Sequence, residues 1–562
     1  MFYGFIKDNG NAWVTRVFKQ TPCSGHCVTS TTTPFISHSL IKPCRIEQRQ
    51  YQIAIYKAVK NTNSLVVLPT GLGKTIIAVL VLVDTLVSGK KVLFLAPTKP
   101  LCEQHASFIR KTTILSPDEV ALVTGETLSP QKRTEVYKNA RVVVATPQTI
   151  DHDLDTRVAL TDYGLIIFDE AHRTVGDYAY VRISEKFHSN PDTRFLGLTA
   201  SPGRDFKQVE DVVHSLGIRH IEVRTESDDD VRPYLSHRSL QWHLIDMPME
   251  VTLVMQQIDG ILRELLRTLG KYSRQATYLT PEKLSKKALV EIQHRMQRNL
   301  GRRGGYLYQG LSVVSATMKL SHLKDLLTSQ GATVAQTYLM KLDADSSRGA
   351  QQIQKHPSYP HIKQGINNIH DGQPKLAITK TILQHHLTEK KEARIMVFAE
   401  YRDTVQMLLS ILNTIPGVRA IHFIGQATTT SEKGMSQAEQ KQTLDGFRQG
   451  TYNVLISTSI GEEGIDIPTT SLVLFYEPVP SAIRHIQRKG RTARDGYPGE
   501  VKILIMKGSR DEAYYWSSMK KEKKMYSYVY QLKNQLEGKR PAKKRWVQQK
   551  TIEDYVYEIN QG

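Results

Sequence analysis

The chain has 562 residues, with 75 Lys and Arg against 55 Asp and Glu, a formal net charge of +20, four cysteines and 40% hydrophobic residues. That length asks for about three or four domains. Global disorder is excluded, as is a membrane span, for want of a run of about 18 apolar residues. The N-terminus lacks the order of a secretory signal. Four cysteines cannot make a disulfide framework, so a reducing, cytoplasmic setting is expected.

Residues 1–38 show no helix or strand period and are expected to be a loose leader. Cys23, His26, Cys27 and Cys44 fit no zinc spacing. From about 45 to 225, continuous apolar runs at 65–68, 92–95, 142–145, 165–168 and 195–198 alternate with helical stretches. Such runs are strands buried on both faces of a parallel sheet. The pattern returns at 395–398, 454–456, 472–475 and 501–505, giving a second α/β domain. Between them, Ile258, Ile261, Leu262, Leu265, Leu266 and Leu269 mark an amphipathic helix in an all-helical insert. Polar residues 349–372 are expected to loop. The chain beyond about 510 reads as helix, then as a Lys-rich tail around 539–545.

Charge is not spread evenly. Residues 1–250 and 371–504 carry +2 each, residues 251–370 carry +10, and residues 505–562 carry +6. The excess therefore lies outside the two α/β domains, as expected for parts that hold a nucleic acid.

Three motifs carry chemistry. Pro69-Thr70-Gly71-Leu72-Gly73-Lys74-Thr75 lies between an apolar strand and an apolar helix. It is a phosphate loop in which Lys74 reaches the β/γ-phosphates and Thr75 holds Mg²⁺. Leu68 stands where the strict pattern has Gly. Asp169-Glu170-Ala171-His172 follows the run 165–168. Asp169 is placed to hold Mg²⁺ and Glu170 to activate water. Gln487-Arg488-Lys489-Gly490-Arg491-Thr492-Ala493-Arg494 comes late in the second domain. Arg491 and Arg494 are placed to stabilise charge on the γ-phosphoryl group of an ATP bound between the domains.

In this order the motifs resemble those of superfamily 2 helicases. Arg49-Gln50-Tyr51-Gln52 resembles the adenine motif, with Gln52 selecting the base. Thr98 and Lys99, Thr124 and Gly125, and Thr146 and Gln148 lie in motifs similar to those contacting a nucleic-acid strand. Thr199-Ala200-Ser201 resembles the motif that, with His172, couples hydrolysis to movement. Thr458 to Asp466, with Gly461, resembles a second-domain motif touching strand and nucleotide.

The match is closer to the archaeal Hef and Fanconi anaemia group M family. It is carried by 68–75, 168–173, Asp177-Tyr-Ala-Tyr180, 477–484 and 508–518. The resemblance implies two RecA-like domains, 39–234 and 373–515, around an all-α insert, 235–372, that grips duplex, with a basic tail at 516–562. It also implies an ATP- and Mg²⁺-dependent motor on forked or branched DNA in replication-fork repair, with a separate nuclease as partner. The chain has no Glu-Arg-Lys triplet, so nuclease activity is not expected of it. Ala493 stands where Gly is usual. Lys286, Lys287, Arg295, Arg298, Arg302 and Arg303 are the insert's candidate phosphate contacts. Gln549, Ile552 and Tyr555 resemble a sliding-clamp-binding peptide, with Val556 replacing its second aromatic. A duplex-RNA motor of the RNA-sensing or Dicer type has a helical insert in the same place and stays open as the alternative.

Overall fold

The computed structural model describes residues 3–8, 12–17, 34–126, 128–236, 238–369, 374–426, 434–461, 467–492 and 498–538; for 3–8, 12–17 and 300–304 the backbone alone is described. Two strands lie within the expected loose leader: β1 (Tyr3–Asp8) and β2 (Ala12–Val17) pair antiparallel over six residues. Asn9-Gly10 between them is a strong hairpin signal in the sequence. Ile36, Ile41 and Ile46 are buried in the core of the first large domain, which therefore begins before the expected boundary at 39.

That domain is a seven-stranded parallel sheet. Its strands are β3 (Ser64–Val67), β4 (Lys91–Leu95), β5 (Val120–Val123), β6 (Val142–Ala145), β7 (Tyr163–Asp169), β8 (Arg194–Thr199) and β9 (His220–Val223). Their order across the sheet is β5-β6-β4-β7-β8-β3-β9. Helices cover both faces, as a parallel sheet requires. Three of them matter below: α1 (Gln50–Val59), α2 (Lys74–Val87) and α3 (Lys99–Thr112).

The second sheet has six parallel strands: β10 (Arg238–Ile245), β11 (Ile395–Phe398), β12 (Ala420–Phe423), β13 (Val454–Ser457), β14 (Leu472–Phe475) and β15 (Gly499–Met506). The order is β10-β15-β14-β11-β13-β12. β10 lies in the range expected for the insert, yet pairs with β15 along eight residues. The chain thus enters the second sheet before it leaves for the insert.

The insert is all helical, led by Met249–Gly270, Lys286–Arg298 and Leu300–Asp325. Its expected loop at 349–372 contains the helices Arg348–Gln354 and Tyr359–Asn367. These are held by Ala350, Ile353, Tyr359, Ile362 and Ile366 in the insert's core. Burial of that apolar stripe outweighs the polar composition that argued for a loop.

The final helix, Arg510–Leu536, runs through the expected boundary at 515 without a break. Tyr515 packs near Trp242 of β10. Met525 meets Ala200 of the first domain and Ile486 of the second. Val529 and Leu532 sit in the first domain's core.

Candidate ATP and nucleic-acid sites

The strand order sorts the motifs. In a parallel sheet all carboxyl ends lie on one edge, where ligands bind. The phosphate loop follows β3, Asp169 ends β7 and Thr199 ends β8; these three strands are neighbours. Thr98, Thr124 and Thr146 follow β4, β5 and β6, which are also neighbours. One half of the sheet edge carries the phosphate motifs and the other the strand motifs. The border runs between β4 and β7.

At the phosphate half, Gly73 has φ +74°, a left-handed conformation that glycine adopts freely. A Cβ there would stand 2.5 Å from Gln52 Nε2. Gln52 is fully buried and donates to Leu72 O at 3.1 Å, where Tyr51 Oη also donates at 2.8 Å. Gln52 Oε1 is buried with no hydrogen-bond partner. The Arg49 guanidinium lies 5.6 Å from the Tyr234 ring centroid, and Tyr234 Oη accepts from the Gln50 N–H at 3.3 Å. Lys74 Nζ donates to Leu68 O at 3.1 Å, folded onto its own loop.

Asp169 is buried, and His105 Nε2 donates to its Oδ2 at 2.8 Å. Burial works to raise its pKa, but the His105 hydrogen bond and the Lys74 ammonium outweigh it and hold the carboxyl below its ordinary value. Tyr180 Oη lies 2.8 Å from Asp169 O and 3.2 Å from Leu95 O, bridging β7 and β4. Glu170 has φ +50°, rare for a non-glycine residue. Its Oε2 stands 3.4 Å from His172 Nδ1. His172 Nδ1 in turn pairs with Thr199 Oγ1 at 3.2 Å, and Thr199 Oγ1 accepts the Ser201 N–H at 3.1 Å. The three expected coupling residues therefore form one chain of contacts starting beside Glu170.

The second domain reaches the same place. A Cβ on Gly490 would fall 1.8 Å from Thr70 Oγ1 of the phosphate loop. Only a residue without a side chain allows this approach. Gln487 and Arg491 flank Gly490 and are buried. Thr458 and Gly461, just beyond β13, are both buried. Arg494 and Asp466 lie outside the described residues.

At the strand half, a cleft of about 790 Å³ opens between the domains. Thr98, Lys99 and Lys111 line one wall; Gln426, Lys441 and Arg448 line the other. Lys99 Nζ pairs with Glu126 at 2.7 Å. Thr146 Oγ1 shares a hydrogen bond with Thr149, and Gln148 is exposed. Thr124 is buried, next to Gly125. Lys111, Lys441 and Arg448 were not singled out from the sequence, because they lie on helix faces without a motif.

The insert's cations divide. Lys286, Lys287, Arg295 and Arg298 share one helix and are exposed. At about 100° per residue, Lys287 and Arg298 fall on one side and Lys286 opposite Arg295. Arg295 and Arg298 line an outer groove with His294. Lys286 faces instead a cavity of about 960 Å³ beside His322 and Asp325. Arg302 and Arg303 lie on the following helix, where only the backbone is described. Gln549, Ile552 and Tyr555 lie outside the described residues. Among the described residues no helix is long and apolar enough to cross a membrane.

Known proteins share this architecture. Residues 49–209 match the DEAD/DEAH box helicase family and residues 375–496 the helicase conserved C-terminal domain. The crystal structure of the Pyrococcus furiosus Hef helicase domain superposes with TM-score 0.64 at 40% identity, covering 84% of this chain and 98% of that one. A Methanocaldococcus jannaschii protein named for ATP-dependent RNA helicase activity is 40% identical over 87% of this chain and 62% of its own length. The ATP-dependent DNA helicase mph1 of Neurospora crassa is 33% identical over 83% of this chain and 41% of its own. The chain thus spans less than two thirds of these two curated relatives.

Proposed function

The chain belongs to the DEAD/DEAH-box helicases, in the family of Hef and Mph1, and from that we propose that it is an ATP-driven motor on forked or branched DNA in replication-fork repair. The contact of Gly490 with Thr70 carries the reading: it brings the arginine motif of one domain onto the phosphate loop of the other. ATP bound there closes the motor, and hydrolysis opens it.

The unpartnered Oε1 of Gln52 suits the exocyclic amine of adenine, a donor. Lys74 exchanges Leu68 O for a phosphate oxygen. Among the described residues no three acids, histidines or cysteines gather as a metal cage. One hydroxyl, Thr75, and one carboxylate, Asp169, are the sparse donor set that suits Mg²⁺ shared with phosphates. Thr75 and Asp169 would hold the ion, which would supply positive charge against the phosphates. Glu170 orients the attacking water. Arg491 and Arg494, with Gln487, are assigned the stabilisation of the γ-phosphoryl charge. His172, Thr199 and Ser201 pass the change on.

The cleft takes one strand along Thr98, Lys99, Thr124, Gly125, Thr146, Gln148 and Thr458. Lys287, Arg295 and Arg298 hold duplex phosphates. A sliding clamp at Gln549, Ile552 and Tyr555 and a separate nuclease remain proposed partners.

A Glu170→Gln protein is expected to lose about 100-fold or more of its DNA-stimulated ATPase; full turnover would overturn the assignment. The name of the M. jannaschii relative, an RNA helicase, favours a second reading, an RNA motor. ATPase stimulation by forked DNA and by duplex RNA, compared side by side, separates the two.

A further inference from the structure

His105 belongs to none of the motifs, yet it reaches the carboxylate on which the phosphate half depends. It lies on α3, which has two working faces. Lys99, Glu103, Gln104, Ser107, Phe108 and Lys111 line the inter-domain cleft. Cys102, His105, Ala106 and Ile109 point the other way and are buried. These sets alternate at the 3.6-residue period of a helix. A displacement felt on the cleft side must therefore move the buried side as well.

The buried side ends on Asp169. The His105 ring lies 4.5 Å from the Phe94 ring of β4, tilted by 35°. Its Nε2 donates to Asp169 Oδ2 at 2.8 Å. Its Nδ1 is buried with no hydrogen-bond partner. No hydrogen bond on the second nitrogen anchors the ring against movement of α3. The bond also crosses the border between β4 and β7, joining the strand half of the sheet edge to the phosphate half. With Oδ2 held by His105, Oδ1 is the carboxylate oxygen that the bond leaves to other partners. On the cleft side Lys99 is tied to Glu126, a bond that a strand phosphate would replace.

We propose that His105 is a positioning residue that transmits strand occupancy of the cleft to the Asp169 carboxylate. This rests on the reading above that the cleft takes a strand and that Asp169 serves the nucleotide. Partners of this outer kind, when removed, typically cost a metal site about 10- to 100-fold. Coupling between two sites is reciprocal, so it can be measured from either ligand.

The test uses the full chain, a fluorescent nonhydrolysable ATP analogue with Mg²⁺, and a single-stranded oligonucleotide. Each ligand's affinity is measured with and without the other. Two variants separate the hydrogen bond from the packing. His105→Phe keeps a ring against Phe94 and has no donor. His105→Gln loses the ring and keeps an N–H that can reach the carboxylate. In the unaltered protein each ligand is expected to tighten the other about tenfold. His105→Phe is expected to bring that factor close to one, and His105→Gln to retain most of it. Wild-type coupling in His105→Phe, or its loss in His105→Gln alone, would overturn the proposal and leave His105 a packing residue. If the unaltered protein binds strand or nucleotide not at all, the functional reading itself fails, and this inference with it.

Discussion

Gly490 decides how far the two motors can close. A Cβ at this position, 1.8 Å from Thr70 Oγ1, would be inside any permitted contact. Gly490→Ala is therefore expected to hold Arg491 back from the phosphate loop and lower stimulated kcat about 100-fold, with a smaller change in KM; steady-state ATPase measures both. Glu477 offers a pH test in the second domain. It is buried beside Lys375, Glu400, Arg488 and Asp511, and burial pushes its carboxyl from 4.5 up to about 7. A raised acid takes up a proton on folding. Its contribution to stability is whole below about 4.5 and is lost as pH rises through about 7. Thermal melts of the unaltered protein and Glu477→Gln are expected to show a difference that drifts across this window and is flat above it. Glu400 N–H can still donate to the amide oxygen of the variant.

The helix Pro374–Glu389 and the final helix are pinned by a buried ion pair. Lys375 Nζ bonds Asp511 and also donates to Ser329 O at 2.8 Å, on the five-residue π-helical turn Leu326–Gln330. Breaking one side leaves a buried charge alone, so Asp511→Ala is expected to cost about 3–5 kcal/mol. The double change Lys375→Met with Asp511→Leu is expected to recover most of it in chemical denaturation. Elements like these show what a sequence can reveal. The core strands were legible because β3, β4, β6, β7 and β8 are apolar on both faces. β10 was not: it is an edge strand, half exposed, and its partner β15 lies some 260 residues on in the chain. The phosphate loop, Asp169 and the 487–494 run were legible because each motif is contiguous. His105 and Tyr234 were not, because each acts through a contact between distant segments that leaves no local pattern.

The whole molecule keeps its charge away from its engine. Two nearly neutral motor segments surround an insert of +10. Replacing Lys287, Arg295 and Arg298 together by Gln is expected to reduce the slope of log affinity against log salt by about 2–3 units. Fluorescence anisotropy over a salt series checks this, and ATP affinity without DNA is the control. The two motors are also joined twice at the same edge. The chain leaves the first sheet after β9, where Arg224 pairs with Glu222 at 2.8 Å, and the final helix returns there, where Lys533 lies 3.6 Å from Glu222. A body fastened at one edge behaves as a lever. Strands lie about 4.8 Å apart; β3 is one spacing from β9, and β5 is six. A rotation about that edge moves the far end of the sheet about six times as far as the strand that feeds the phosphate loop. Under the proposed function, strand order would then set a mechanical gain, a small closure around a nucleotide giving a long stroke along the nucleic acid.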